Sequence, residues 1–199
     1  QSVSIIDDSN LNLHLNGGTT EISGAIIKTG NYTGTYTENI IIDNAPKNIN
    51  IVNNGISDIQ FNGALLNLNG NVEVINMFGS ILDGNLLVEN PSIETVNLDF
   101  TSTFNIGSAG NNEDIDIRTS GILTALANGL INIEHSGASD LFLGDVASAT
   151  ATINLTTPND FIINAGASIN AGANNNAIDV KDRSPPESIS KSETFLRGN

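Results

Sequence analysis

The sequence has no cysteine and no tryptophan, one methionine and 5 % aromatic residues. Without cysteine there are no disulfides and no thiolate metal sites. With few aromatics, the core of a 199-residue chain must come from Ile, Leu, Val and Ala. Such a core suits a narrow layered stack better than a compact sandwich closed on large rings. Basic residues are scarce too: seven Lys and Arg stand against 22 Asp and Glu, a net charge of -15. That surface repels a nucleic-acid backbone, which requires clustered Lys and Arg, and repels anionic lipid. No apolar run approaches the roughly 18 residues of a membrane helix, so no membrane insertion is expected. The chain opens at Gln1 straight into Ser2-Val3-Ser4-Ile5-Ile6. That is the start expected of a mature secreted chain whose leader has been removed.

What is present is a series of short alternating apolar runs. Leu11–Leu15, Asn48–Val52, Val72–Ile75, Ile131–Glu134 and Ala151–Leu155 are examples. Others lie at Ile40–Asp43, Asp58–Phe61, Leu66–Asn69, Leu86–Glu89, Glu94–Leu98, Thr103–Ile106, Asp114–Arg118, Leu141–Leu143, Phe161–Asn164 and Ala177–Val180. Alternation of period two marks strands, and helix-period spacing is nearly absent. The runs recur every 6 to 12 residues, broken by pairs such as Asn54-Gly55, Asp83-Gly84 and Ser136-Gly137 that suit sharp corners. Asparagine is about one residue in six, and identical amides at strand ends can stack from coil to coil. Three short strands and three corners occupy about 24 residues, with no long crossover loop. The fold expected is therefore all-β: a parallel β-solenoid of roughly seven short coils over residues 1–180. A β-sandwich or jelly roll is the alternative.

From Lys181 the character changes. Residues 181–199 hold four of the seven bases, contain Pro185-Pro186 and show no strand period. This polar tail is a possible docking or donor segment. Phe195 and Leu196 would be its apolar anchor, with Lys191 and Arg197 as charge partners for an acidic neighbour.

Signs of catalysis are few, and the chain is expected not to be an enzyme. His14 and His135 are the only histidines, and both suit solvated surface positions. No Gly-x-Ser-x-Gly elbow or phosphate loop occurs. Most phenylalanines between Phe61 and Phe161 fall at inward strand positions, which leaves few aromatic platforms for a sugar. Arg118, near Glu113, Asp114 and Asp116, is the one place where carbohydrate chemistry could sit. Those three acids follow the Gly107–Gly110 turn and form the best metal candidate. Carboxylate and carbonyl oxygens suit a hard cation, so calcium is the cofactor to look for, although the calcium-binding nonapeptide is missing.

The run Ile93-Glu94-Thr95-Val96-Asn97-Leu98 followed by Phe104-Asn105-Ile106-Gly107 resembles strand-and-corner runs of bacterial surface-layer proteins and secreted repeat adhesins. Ile163-Asn164-Ala165-Gly166 and Ile169-Asn170-Ala171-Gly172 resemble corners of autotransporter-passenger solenoids. The resemblance implies a secreted, cell-surface location, self-assembly or adhesion, and often calcium. The leading expectation is an extracellular structural protein that assembles with copies of itself as filament, sheet or surface layer. An adhesin binding a host or glycan ligand is the alternative, and a polysaccharide-active enzyme or phage tailspike fragment a second one.

Overall fold

The computed structural model describes residues 11–15, 34–36, 40–41, 48–53, 56, 58–61, 64–84, 91–110, 114–172 and 178–182. Among them are sixteen strands and no helix. In chain order they are Leu11–Leu15 (β1), Gly34–Tyr36 (β2), Ile40–Ile41 (β3), Asn48–Asn53 (β4), Ile59–Phe61 (β5), Leu65–Asn76 (β6), Ile81–Asp83 (β7) and Ile93–Ser102 (β8). Then follow Ile115–Thr119 (β9), Ile122–Ala127 (β10), Ile131–His135 (β11), Leu141–Ser148 (β12), Ile153–Thr157 (β13), Phe161–Ile163 (β14), Ile169–Asn170 (β15) and Ile178–Asp182 (β16).

Among the described residues every strand pairing is parallel, and all but β1 with β4, which joins residues 38 apart, link residues 18 to 28 apart in sequence. That is a β-solenoid. It excludes the sandwich and jelly roll, whose hairpins and Greek keys require antiparallel neighbours. One column of the stack runs through Ile59, Ile81, Ile106, Ile131, Ile153 and Ile178, in steps of 22 or 25 residues. These steps make about five turns, fewer than the roughly seven expected of the whole body. The earlier part of the chain contributes β1 to β3 beneath them.

Three faces stack in parallel. The first carries β1, β4, the later halves of β6 and β8, β10, β12, and finally β14 and β15. The second carries β2, β5, β7, the Ile106 bridge and the starts of β11, β13 and β16. The third carries β3, the first halves of β6 and β8, β9, and the ends of β11, β13 and β16. In the upper turns the second and third faces merge into one strand. Between inward positions the corner joining them takes four residues from Ile131 to His135. It takes twelve from Ile81 to Ile93. The solenoid absorbs its length differences largely at this corner.

The reason these residues stack is legible turn by turn. Inward positions carry an aliphatic residue or Phe at nearly every level. Ile59, Ile81, Ile106, Ile131 and Ile153 are essentially fully buried, as are Val72, Leu98, Leu123 and Leu143. Directly before several of these inward residues stands an Asp, Asn or Ser whose side chain bonds to the next turn. Asp58 Oδ1 accepts from the Ser80 N–H at 2.7 Å, and Asn105 Oδ1 from the Leu130 N–H at 2.9 Å. Asn97 Oδ1 accepts from the Ile122 N–H at 2.7 Å, while its amide donates to Asn71 Oδ1 at 2.8 Å. At another corner the buried Asn53 amide donates to Asn76 Oδ1 at 3.2 Å. Backbone groups that a bend strips of ladder partners are thus satisfied by the turn beside them.

Candidate functional site

Two places stand out: an acidic corner on the side of the rod and the open terrace at its C-terminal end. On the acidic corner, Asp114 stands in the bend just before β9 and Asp116 is the second residue of that strand. Asp116 is paired in register with Glu134 on the next turn. One oxygen from each of Asp114, Asp116 and Glu134 falls within 4.8 Å of the others. Below them, Asp83 Oδ2 accepts from Ser92 Oγ at 2.6 Å and from the Asp116 N–H at 3.2 Å. Three clustered carboxylates on extended backbone are a ligand set for a hard cation.

Of the three sequence candidates for calcium, the structure therefore brings Asp114 and Asp116 together, while Glu113 lies outside the described residues. Glu134 was the member that spacing along the chain concealed, since it arrives from one turn away. Arg118 does not join this group. Its Nη1 lies 3.3 Å from Glu94 Oε2, the register partner on the preceding turn.

Next to this corner, His135 departs from the expectation of a solvated histidine. It faces inward and is fully buried. Its Nε2 lies 3.2 Å from the Thr119 carbonyl and its Nδ1 3.2 Å from Thr157 Oγ1. A carbonyl only accepts, so Nε2 carries the proton and Nδ1 accepts from the Thr157 hydroxyl. Burial, more than the nearby Arg118 charge, lowers its pKa from the usual 6.5, and the bond to the Thr119 carbonyl pulls the other way. A Cβ on Gly137 would come within 2.6 Å of the imidazole, so the corner needs glycine to admit the ring.

The phenylalanines divide. Phe61 and Phe100 are core, as expected. Phe78 and Phe104 are each 56 % exposed and stand on successive turns at the corner after the first face. Thr103–Ile106 is not the strand that its apolar residues suggest. Ser102 Oγ accepts from the Phe104 N–H at 3.1 Å and turns the chain there, which swings Phe104 outward. Beside this corner runs a groove of about 380 Å³, lined across four turns by Thr101–Thr103, Leu126–Asn128, Ala147–Ala149, Asn170 and Gly172. No charged residue lines it, in a chain otherwise rich in acid.

The terrace is the last described turn. Its inward residues are Phe161, Ile163, Ile169, Ile178 and Val180. Their register partners one turn below, Leu141, Leu143, Val146, Ile153 and Leu155, are all 0 % exposed. Ile163 is 40 % and Val180 37 % exposed, and the other three are only partly covered. The expected assembly residues Lys191, Phe195, Leu196 and Arg197 lie outside the described residues. No helix among the described residues is long and apolar enough to cross a membrane. No family model, curated protein or solved structure matches the chain.

Proposed function

We propose that this protein is a secreted, cell-surface structural subunit that assembles with copies of itself through the ends of its solenoid. The observation that carries the reading is the exposure of Ile163 and Val180, whose register partners one turn below, Leu143 and Leu155, are fully buried. Fully burying one such aliphatic side chain is worth about 1.5–3 kcal/mol. The edges of β14, β15 and β16 also present backbone groups with no further strand above them among the described residues. An open parallel edge over an apolar floor is a template for another strand. Negative-stain electron microscopy with sedimentation velocity over a concentration series tests this. Rods that lengthen with concentration are expected; a monodisperse monomer at every concentration would exclude the reading.

A second reading, a binding module for a neutral glycan, draws on the uncharged groove and the exposed Phe78 and Phe104 beside it. Sugar rings stack on exposed aromatic faces, and a groove without charge does not discriminate against a neutral chain. Screening a neutral-glycan array with the wild type and with Phe104→Ala separates the two readings. Binding that the substitution abolishes supports the module, and an empty array removes it.

A further inference from the structure

The end-stacking reading leaves open which surface of a second copy meets the terrace, and in what register. Three strand-bearing faces reach the C-terminal end, as β14 with β15, the start of β16 and the end of β16. Among the described residues, the same three faces begin at the other end with β1, β2 and β3. All run in one direction. We propose that the terrace seats the N-terminal end of a second copy stacked head to tail, its β1, β2 and β3 each continuing the face on which it lies. This deepens the end-stacking reading and rests on it.

The register follows from the ladders already present. Thr35 pairs with Gln60 and Gln60 with Leu82, and the column rises through Asn132 and Asn154 to Asp179. In the stacked pair, the incoming copy's Thr35 position falls directly above Asp179. On the first face, the column from His14 through Val52, Ile75, Thr101, Leu126 and Ala147 reaches Asn170. The incoming copy's His14 position falls above Asn170.

Competing occupants meet physical objections. Two terraces meeting face to face would pair their strands antiparallel, against the parallel ladders that build every turn below. A further turn of the same chain, at the 20- to 25-residue step and beginning after β16, would bring residues 183–188 over β14. Pro185 and Pro186 in that stretch have no N–H to give the ladder. A second copy in the same orientation supplies parallel strands on all three faces.

The absence of native cysteine gives a clean test. Neighbouring strands lie about 4.8 Å apart, within the Cα separation that a disulfide spans. Full-length Thr35→Cys and Asp179→Cys are mixed under mild oxidation, and His14→Cys with Asn170→Cys forms an independent pair on another face. Circular dichroism of the reduced proteins verifies that each variant folds. The expected result is a cross-linked dimer in each mixture and several-fold less in either variant alone. Dimers of Asp179→Cys or Asn170→Cys alone, equal to those of the mixture, would show terraces meeting and overturn the proposal. If microscopy shows rods but neither mixture cross-links, end stacking survives and this register falls. If there are neither rods nor cross-links, both fall.

Discussion

At the scale of single residues, His135 couples the stack to pH. Burial depresses its folded pKa below 6.5, so between the two values the unfolded chain binds more protons than the folded one. The stabilisation is complete above about pH 6.5, declines as pH falls below it, and levels off beneath the folded value. Protonation would also place an Nδ1–H against Thr157 Oγ1, which now donates to that nitrogen. Thermal unfolding of wild type and His135→Gln between about pH 7.5 and pH 5.5 should show a steeper loss of Tm in the wild type, because only it carries the imidazole. Parallel curves would remove the histidine as the cause. Gly137→Ala forces a methyl group into the ring it now admits. Overpacking of this kind costs about 1–3 kcal/mol, which urea denaturation would register as a lower midpoint at unchanged slope. Neither histidine effect was legible beforehand. In Ile131-Asn132-Ile133-Glu134-His135, strict alternation does point His135 inward, but histidine's polarity argued the other way. Partners from Thr119 and Thr157, one turn away on either side, are what make the buried position tolerable.

At the scale of elements, the side-chain ladders carry stability that the apolar column alone does not. Asn76 accepts from the buried Asn53 amide and donates to the Ser80 carbonyl at 2.8 Å. Asn76→Ala removes both bonds in a buried setting, at an expected cost of about 1–3 kcal/mol. Chemical denaturation checks this; a change within about 0.5 kcal/mol, ordinary for an exposed site, would mean that the ladder is decorative. The strands most legible in sequence were those with β-branched alternation, such as β4 and β13. β10 was missed because its exposed positions Ile122 and Leu126 are as apolar as the inward Leu123, Ala125 and Ala127, so the run shows no alternation. β2 and β7 are only three residues long, too short to show a period. β6 was divided in two because Gly70 marks a corner, where the Thr95 hydroxyl bonds its carbonyl. The acidic corner was half legible for a related reason. Sequence spacing shows Asp114 and Asp116, whereas Glu134 depends on coil length, which only the register supplies.

At the scale of the whole molecule, charge opposes the assembly that the apolar terrace favours. Each copy carries a net charge of -15, and stacked copies sit closer than the screening length of dilute buffer. That length falls from about 10 Å at 0.1 M to about 3 Å at 1 M salt. Rods should therefore lengthen as sodium chloride rises from about 0.05 M to about 0.5 M, followed by sedimentation velocity. Shortening would mean that ion pairs, not apolar burial, hold the ends together.

The corner between the second and third faces varies from four residues to twelve while the ladders on either side keep their register. Lengthening a loop whose ends are already fixed costs little, since closure entropy grows only with the logarithm of its length. This makes the corner a display position. A foreign peptide grafted between Ile106 and Ile115 would project from the side of the rod without altering the inward stack. Grafted subunits that polymerised end to end would carry the peptide at regular intervals along a fibre, turning a difference in loop length into a ruler.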